Sequence, residues 1–141
     1  MSWIYHDEPL EEMPEGIVSF VYKIEIAGWY YIGKKNTTTT RKKPFGKKEL
    51  VQITDSRKKK YHMITKPSKW ENYCSSSDDV KELVEAGHTP VRTILRLCSS
   101  VKEASYFENK YLYEIFANRN VLNKNVSGTF YLEEVQKWRG M

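Results

Sequence analysis

Residues 18–33 read VSFVYKIEIAGWYYIG, and this stretch decides the fold because it predicts a tight β-hairpin. From Val18 to Ile26 large apolar side chains occupy every second position, which is the period of a half-buried strand. Ala27-Gly28 supplies a two-residue turn, and residues 29–33 return as the second strand. We therefore expect two antiparallel strands with one buried face.

The register of this hairpin brings two tyrosines together. If Ile26 pairs with Trp29, Tyr22 lies opposite Gly33, and Tyr31 projects from the same face as a diagonal neighbour of Tyr22, about 7–8 Å away. Gly33 has no side chain, so it leaves a small concavity beside Tyr22. Two phenols that converge on a concavity suit the activation of water, whereas aromatic pairs in sheets commonly only pack. The hairpin alone supports both interpretations.

Length and composition bound the class of protein. A chain of 141 residues is long enough for one domain with a proper core, so we expect a single domain over residues 1–141. No apolar run is long enough to span a bilayer and the N-terminus does not resemble a signal peptide, so we expect a soluble, cytoplasmic protein with no membrane partner. Cys74 and Cys98 lack metal-ligand spacing and are expected to stay thiols.

Positive charge is concentrated in one segment. Residues 34–69 hold thirteen Lys or Arg against two acids, a local net charge of +11 within a chain total of +5. Residues 1–16 hold five acids and no Lys or Arg, and this acidic N-terminal arm either folds back over the basic segment or stays solvated. Dense positive charge repels itself unless a polyanion offsets it, so the basic segment predicts a nucleic-acid partner, with a merely solvated loop as the alternative.

The basic insertion, residues 34–69, shows no clear secondary-structure period. Thr37–Thr40 and Pro44–Gly46 interrupt regular structure, so we expect the insertion to be loop-like. The predicted DNA contacts combine its cations with aromatic side chains that follow, namely Lys35, Lys42, Lys43, Lys47, Lys48, Arg57, Lys58, Lys59, Lys60, Trp70 and Tyr73.

The second half of the chain alternates helix and strand patterns. Ser77 or Asp78 caps a short helix that ends before Gly87, and Val91–Cys98 alternates as a third strand. Residues 130–138 are a candidate closing helix with Leu132, Val135 and Trp138 packing inward. The expected fold class is α+β, an α/β sandwich in which a small antiparallel three-stranded sheet is flanked by helices.

The longest predicted helix places a carboxylate on its apolar face. Ser100 and Glu103 form a capping-box pattern, and the helix runs to about Asn118. At 100° per residue, Glu108 lies near the middle of an apolar stripe formed by Val101, Ala104, Tyr111, Leu112 and Ile115. A carboxylate in a buried stripe needs a partner, hydrogen bonds or a metal ion, so both a structural salt bridge and a functional role stay open.

Taken together, these residues resemble the GIY-YIG nuclease family, and specifically its small phage-encoded members that carry a basic insertion after the second motif. Phe20-Val21-Tyr22 stands in place of the GIY triplet and Tyr31-Ile32-Gly33 matches the YIG triplet. Arg41 follows at a spacing similar to that of the family's phosphate-binding arginine. Glu108 matches the helical metal-binding glutamate, and Asn123 stands where the family has a supporting asparagine.

The resemblance implies an endonuclease that hydrolyses phosphodiester bonds of DNA with Mg²⁺ or Mn²⁺. Glu108 would bind the metal ion, and Arg41 would hold a phosphate oxygen. Tyr22 would be the general base, with Tyr31 positioning the water or the phosphate. A phenol starts with a pKa near about 10, so nearby positive charge must lower that pKa. Lys34 is a candidate for this charge, and it is also an alternative proton shuttle, or simply one more cation of the basic segment.

Some assignments depart from the family pattern or stay open. The first triplet is not Gly-Ile-Tyr, and Arg41 follows four threonines and precedes Pro44, so we expect it on a broken helix or a loop. Asn120 and Asn125 compete with Asn123 as the supporting amide. The alternative function is a catalytically silent nucleic-acid-binding module of the same fold; an RNA-directed protein or a recruitment factor comes third. Monomer and homodimer are both open.

Overall fold

The computed structural model describes residues 2–44, 46–47, 51, 61–115 and 120–140. Its strands are β1 (Trp3–Tyr5), β2 (Glu8–Leu10), β3 (Ser19–Ile26), β4 (Trp29–Asn36), β5 (Thr38–Pro44), β6 (Tyr61–Pro67), β7 (Val91–Cys98), β8 (Asn125–Val126) and β9 (Phe130–Tyr131). Its α-helices are α1 (Asp78–Glu85), α2 (Val101–Ile115) and α3 (Leu132–Trp138), and Trp70–Asn72 forms a 3₁₀ turn.

The chain divides into two compact units. The main unit comprises Met1–Thr37 and Lys69–Met141, and the hairpin unit comprises Thr38–Ser68. Among the described residues, no helix combines the length and the apolar character that a membrane crossing demands.

The main unit is built on a five-stranded sheet with the order β2-β1-β7-β3-β4. Strands β7, β3 and β4 are antiparallel neighbours, which confirms the predicted three-stranded core, but β1 adds in parallel to β7 and β2 pairs with β1. The expected acidic arm therefore supplies two strands instead of a solvated tail. Trp3 explains the difference, because it is 1% exposed and its indole Nε1 donates a hydrogen bond to the Trp70 carbonyl oxygen at 2.8 Å. Burial of this large ring holds the arm on the sheet.

The predicted register of the β3–β4 hairpin is confirmed, with Tyr22 opposite Gly33. Ala27 and Gly28 both have positive φ, 51° and 82°, as a two-residue type I′ turn requires. A Cβ added at Gly33 would lie 2.6 Å from the Tyr22 Cζ, closer than packed atoms approach. The space that glycine leaves is thus occupied by the Tyr22 ring, and the hairpin needs glycine here.

Helices cover both faces of the sheet. One face packs on α1 and the 3₁₀ turn through a buried cluster of Trp3, Phe20, Tyr22, Ile24, Ile26, Trp70, Val80 and Ile94. The other face packs on α2 and α3 through Val21, Ile32, Cys98, Ala104, Leu112 and Val126. This arrangement confirms the α+β class, with a sheet larger than the three strands expected.

The predicted helix caps are present. Ser77 Oγ accepts a hydrogen bond from the Val80 amide at 3.5 Å, and Ser100 Oγ accepts one from the Glu103 amide at 3.1 Å. Two side chains expected to pack inward are exposed instead, Val101 by 40% and Trp138 by 66%, because each lies at a helix end beyond the packed turns. The predicted end of the long helix near Asn118 lies outside the described residues.

The hairpin unit replaces the expected loop. β5 and β6 pair in antiparallel fashion from Thr38 opposite Pro67 to Pro44 opposite Tyr61, so the backbone of Arg41 belongs to a strand and not to a broken helix. Consecutive threonines explain this, since β-branched side chains favour extended backbone. Pro44 is tolerated because it ends the strand.

Candidate active site

A cleft of about 510 Å³ lies along β4, the edge strand of the sheet. Its walls come from β4, the start of α1, the middle of α2 and residues 122–128. Four of the six predicted catalytic residues line it: Tyr31, Lys34, Glu108 and Asn123. The structure therefore brings together side chains that are up to 92 positions apart in the numbering, from Tyr31 to Asn123.

Glu108 lies half-buried on the inner face of α2, between the buried Ala104 and Leu112. Burial raises the pKa of its carboxyl group, since the charged form loses hydration, and the nearby Lys34 ammonium partly lowers that pKa. Lys34 is therefore the described cation that favours the charged form of Glu108.

Lys34 is held by the same helix. Its Nζ donates a hydrogen bond to the hydroxyl of Ser105, one turn before Glu108, and Ser105 in turn donates to the Val101 carbonyl oxygen at 3.1 Å. This hydrogen bond holds the Lys34 ammonium at the wall of the cleft. A lysine that only extends into solvent has no such contact.

Tyr31 presents its phenol to the cleft from β4. Burial raises the pKa of this phenol, and the neighbouring Glu108 carboxylate raises it further, whereas hydrogen bonds with Ser76 and Ser75 lower it. Tyr31 and Glu108 thus face each other closely enough to interact, although they come from a strand and a helix.

Tyr22 does not line the cleft, contrary to the expected concavity. It is 1% exposed, and its ring packs against Trp3, Tyr31 and Tyr73 with centroids 5.3, 6.3 and 5.9 Å apart. Burial, with smaller contributions from Tyr73 and Tyr31, raises the pKa of Tyr22, and Lys34 is not among the described groups that act on this pKa. Tyr22 therefore lies behind Tyr31, in the protein interior, because its face of β3 is the core face.

Asn123 binds the backbone of the YIG triplet. Its Oδ1 accepts a hydrogen bond from the Ile32 amide at 2.9 Å, and its Nδ2 donates one to the Ile32 carbonyl oxygen at 2.8 Å. Of the two competing amides, the Asn125 Oδ1 accepts from the Gly128 amide in a local turn, and Asn120 contacts β4 by its backbone carbonyl oxygen, which accepts from the Tyr30 amide. The geometry therefore selects Asn123 as the amide that supports β4.

The predicted DNA contacts divide into three groups. Trp70 is 6% exposed and packs in the core, so its ring cannot stack on a base. Tyr73 is half-buried beneath the Lys35 ammonium, which lies 4.3 Å from its ring centroid, while Lys43 and Lys47 are exposed in the hairpin unit. The remaining candidates lie outside the described residues, or their side chains do: Lys42, Lys48, Arg57, Lys58, Lys59 and Lys60. The side chain of Arg41, the predicted phosphate-binding arginine, also lies outside them.

Three serines that contact the site residues were not predicted. Ser75 and Ser76 act on the pKa of Tyr31, and the Ser105 hydroxyl accepts a hydrogen bond from the Lys34 ammonium. For Ser75 and Ser76 the signal in the sequence was the serine run that follows Trp70-Glu71-Asn72-Tyr73, whereas Ser105 lies outside that run.

The donor set of the cleft fits a hard, partly hydrated cation. Within the described ranges, no three or more His, Cys, Asp or Glu side chains converge as a metal cluster, and the carboxylates that line the cleft are Asp78, Asp79 and Glu108. A single carboxylate with most other positions left to water and phosphate oxygens is typical of Mg²⁺. Glu108 and the polar cleft around it therefore suit Mg²⁺ or Mn²⁺ better than a structural metal.

Comparison with known proteins agrees with this geometry. Residues 3–135 match the family model described as "Putative endonuclease segE, GIY-YIG domain". The comparisons with curated proteins and with solved structures gave no match. The family match covers all the strands given above, α1, α2, the first part of α3 and all residues of the cleft, so the chain belongs to the GIY-YIG nuclease family.

Proposed function

We propose that the chain is a metal-dependent DNA endonuclease that hydrolyses phosphodiester bonds. One observation carries the proposal: β4 and α2 bring Tyr31, Lys34 and Glu108 into a single polar cleft. Phosphodiester hydrolysis needs an activated water and positive charge at the phosphate, and this set supplies candidates for both.

Glu108 would hold Mg²⁺ or Mn²⁺, which would supply positive charge to the reacting phosphate. Lys34, fixed by Ser105, adds a second positive charge on the same wall of the cleft. Tyr31 is the phenol placed to orient the attacking water, and it shares the cleft with a lysine that is able to shuttle the proton. Tyr22 supports Tyr31 from behind instead of contacting the phosphate.

The hairpin unit is the proposed holder of the DNA backbone. Residues 38–68 carry ten Lys or Arg against two acids, a net charge of +8, which leaves −3 for the rest of a chain whose total is +5. A main unit with negative net charge has little attraction of its own for a polyanion, so phosphate affinity has to come from the basic unit. Arg41 in this unit is the proposed phosphate-binding arginine.

The test is plasmid nicking with Mg²⁺ or Mn²⁺ by the wild-type chain and by Glu108→Ala. We expect divalent-dependent nicking by the wild type and a loss of about 10³-fold or more in the variant, because the metal loses its carboxylate ligand. Glu114→Ala is the matched control, since Glu114 is an exposed carboxylate of the same helix.

Two outcomes would contradict the proposal. Full activity of Glu108→Ala, folded by circular dichroism, would exclude the metal role of this residue. DNA binding by the wild type without cleavage under any divalent ion would favour the alternative, a catalytically silent binding module. A phage origin and a cytoplasmic location are further proposals, and the first of them follows from the resemblance to the small phage-encoded members.

A further inference from the structure

A serine on the cleft side of α2 holds the ammonium of Lys34. Ser105 lines the cleft and lies three residues before Glu108, so the two side chains are about one helical turn apart on the same wall. Ser105 Oγ donates a hydrogen bond to the Val101 carbonyl oxygen at 3.1 Å, and it accepts one from Lys34 Nζ. A hydroxyl has a single proton, so with that proton bound to Val101 the Ser105 oxygen meets Lys34 only as an acceptor.

Lys34 has a stronger acceptor close by and is nevertheless bound to the weaker one. The ion pairs within the described part of the chain do not include Lys34 with Glu108, although the Lys34 charge acts on the Glu108 carboxylate. An ammonium is attracted more strongly to a carboxylate than to a neutral hydroxyl. The position of the ammonium on Ser105 is therefore set by the geometry of the cleft wall and not by acceptor strength alone.

The sheet fixes the point from which the lysine side chain extends. Lys34 lies opposite Val21 in the β3–β4 ladder, and the Ser19 hydroxyl donates a hydrogen bond to the next carbonyl oxygen, that of Lys35, at 3.0 Å. Because the backbone is held and the side chain is flexible, the acceptors on α2 decide where the ammonium lies. Without the Ser105 oxygen, the carboxylate that α2 contributes to the cleft is Glu108.

An ammonium bound to Glu108 would compete with a divalent ion. Mg²⁺ and Mn²⁺ bind carboxylate oxygens directly, so an oxygen that accepts a hydrogen bond from an ammonium is a poorer ligand. With the ammonium on Ser105, its positive charge stays in the cleft while the Glu108 oxygens remain available.

We propose that Ser105 is a positioning residue that holds the Lys34 ammonium off the Glu108 carboxylate and so keeps this carboxylate available to a divalent ion. The inference rests on the proposed function, because the metal role of Glu108 belongs to it. Ser105 acts through Lys34 and contacts neither the metal ion nor the phosphate.

The substitution that tests this is Ser105→Ala, which removes the acceptor and should fold, since alanine favours a helix interior. Ser105→Cys is a second variant of nearly native volume, because a thiol is only a weak acceptor. Ser105→Thr keeps the hydroxyl and its bond to the preceding turn. Ser99→Ala is the matched control, since it removes an exposed serine hydroxyl outside the cleft that bonds to Glu103 at 3.1 Å.

The first readout is Mn²⁺ affinity, measured by calorimetry at one mildly alkaline pH. Ser105→Ala should weaken Mn²⁺ binding about 10-fold, the size expected when a residue that orients a metal site is lost. Ser105→Thr and Ser99→Ala should bind Mn²⁺ like the wild type. The double variant Lys34→Met/Ser105→Ala should bind it as tightly as Lys34→Met alone, because without the ammonium the serine has nothing to hold.

Two outcomes of this titration would overturn the inference alone. One is wild-type Mn²⁺ affinity in folded Ser105→Ala, and the other is an equal loss of affinity with and without Lys34, which would show that Ser105 acts through the structure of the helix. A wild-type chain that binds no Mn²⁺ would instead contradict the proposed metal site, and this inference with it.

The second readout locates the Lys34 ammonium without metal or DNA, by NMR of ¹⁵Nζ-labelled lysine assigned with Lys34→Met. The Lys34 resonance should stay near its wild-type position in Ser105→Thr and Ser99→Ala, and should shift in Ser105→Ala and Ser105→Cys as the ammonium moves to Glu108. Adding Glu108→Gln to Ser105→Ala should remove most of this shift, because the attracting carboxylate is gone. An unchanged resonance in Ser105→Ala, or a shift that Glu108→Gln leaves intact, would overturn the proposal.

Discussion

At the scale of single residues, the site depends on one carboxylate that the fold makes costly to ionise. Glu108 lies in an apolar stripe, where burial favours its neutral form, and Lys34 is the cation that favours its charged form. A carboxylate of this kind is poised to bind a cation, because a bound metal offsets the desolvation that the helix imposes. In the proposed function, a metal ion bound at Glu108 would offset this desolvation.

The two tyrosines should differ in their effect on catalysis. Tyr31→Phe removes the phenol that lines the cleft and should lower kcat about 10²-fold or more. Tyr22→Phe removes a buried hydroxyl behind it, and should lower stability by about 1 kcal/mol and kcat by less than Tyr31→Phe does. Single-turnover cleavage and urea unfolding measure the two effects. A larger kcat loss in Tyr22→Phe would return the role of general base to Tyr22.

Metal affinity should depend on pH through Glu108. The pKa of its carboxyl group is raised by burial and partly lowered by Lys34, so acidification protonates Glu108 at a higher pH than an ordinary glutamate and weakens Mn²⁺ binding there. Lys34→Met removes the lowering effect and should move this loss of affinity to still higher pH. Calorimetric titration with Mn²⁺ at several pH values measures this affinity. The control is Lys102→Met, which removes an exposed lysine of α2. Equal pH profiles for both variants would contradict the pairing of Lys34 with Glu108.

The raised pKa of Glu108 also predicts how stable the variant Glu108→Gln is. A carboxyl group whose pKa is raised by folding binds its proton more tightly in the native state, so its contribution to the free energy of unfolding falls as pH rises through that raised pKa. Glutamine removes this dependence. At neutral pH, urea unfolding should therefore show Glu108→Gln to be at least as stable as the wild type while nicking is lost, the opposite of what a structural salt bridge would give.

At the scale of elements, the open edge of β4 is closed without a further strand. The Tyr30 amide donates to the Asn120 carbonyl oxygen at 3.0 Å, the Leu122 amide donates to the Tyr30 carbonyl oxygen at 2.8 Å, and the Asn123 amide group continues the pattern on Ile32. A side chain thus replaces a strand partner at the point where the cleft needs space beside β4. The short segment 120–123 therefore attaches the C-terminal part of the chain to β4, next to the Tyr31-Ile32-Gly33 triplet.

Loss of this side chain should loosen the edge. Asn123→Ala leaves the buried amide and carbonyl of Ile32 without the partners that Asn123 provides, and should cost about 2 kcal/mol or more of stability. Asn125→Ala, which removes only an exposed bond to the Gly128 amide, should cost about 1 kcal/mol or less. Urea unfolding of both variants measures the difference in stability. Similar losses of stability would show that the contact of Asn123 with Ile32 contributes no more than the exposed bond of Asn125.

At the scale of the whole molecule, the excess of positive charge and the candidate active site lie in different units. The cleft lies in the main unit, whereas residues 38–68 carry a net charge of +8. Such a division lets phosphate affinity change without any change in the cleft, since electrostatic attraction depends on the number of cations more than on their detailed placement.

Salt dependence should therefore follow the hairpin unit. Replacing Lys43 and Lys47 by glutamine should lower the slope of log affinity against log salt by about 1 for each phosphate that a lysine no longer neutralises, and weaken binding similarly for unrelated DNA sequences. Lys81→Gln and Lys137→Gln, exposed lysines of the main unit, are the controls. Fluorescence anisotropy with Glu108→Ala avoids cleavage during the measurement, and an unchanged slope would place DNA binding elsewhere.

Local pattern by itself determined much of this protein. The alternation of residues 18–33 specified the hairpin, its turn and the opposition of Tyr22 to Gly33, because strand period and turn chemistry act between near neighbours. The 3.6-residue period put Glu108 on the inner face of α2 for the same reason. The charge count marked residues 34–69 as distinct, although it did not reveal that Thr38–Pro44 and Tyr61–Pro67 form strands.

Tertiary structure decided what depends on contacts between distant residues. The parallel pairing of β1 with β7, the burial of Tyr22 behind Tyr31 and the bonding of Asn123 to Ile32 all join segments that no local period connects. Which of two tyrosines on one face meets solvent is set by what packs over them, and here Trp3 and Tyr73 cover Tyr22. A sequence pattern assigns a side chain to a face, but only the packed neighbours determine whether that face is core or cleft.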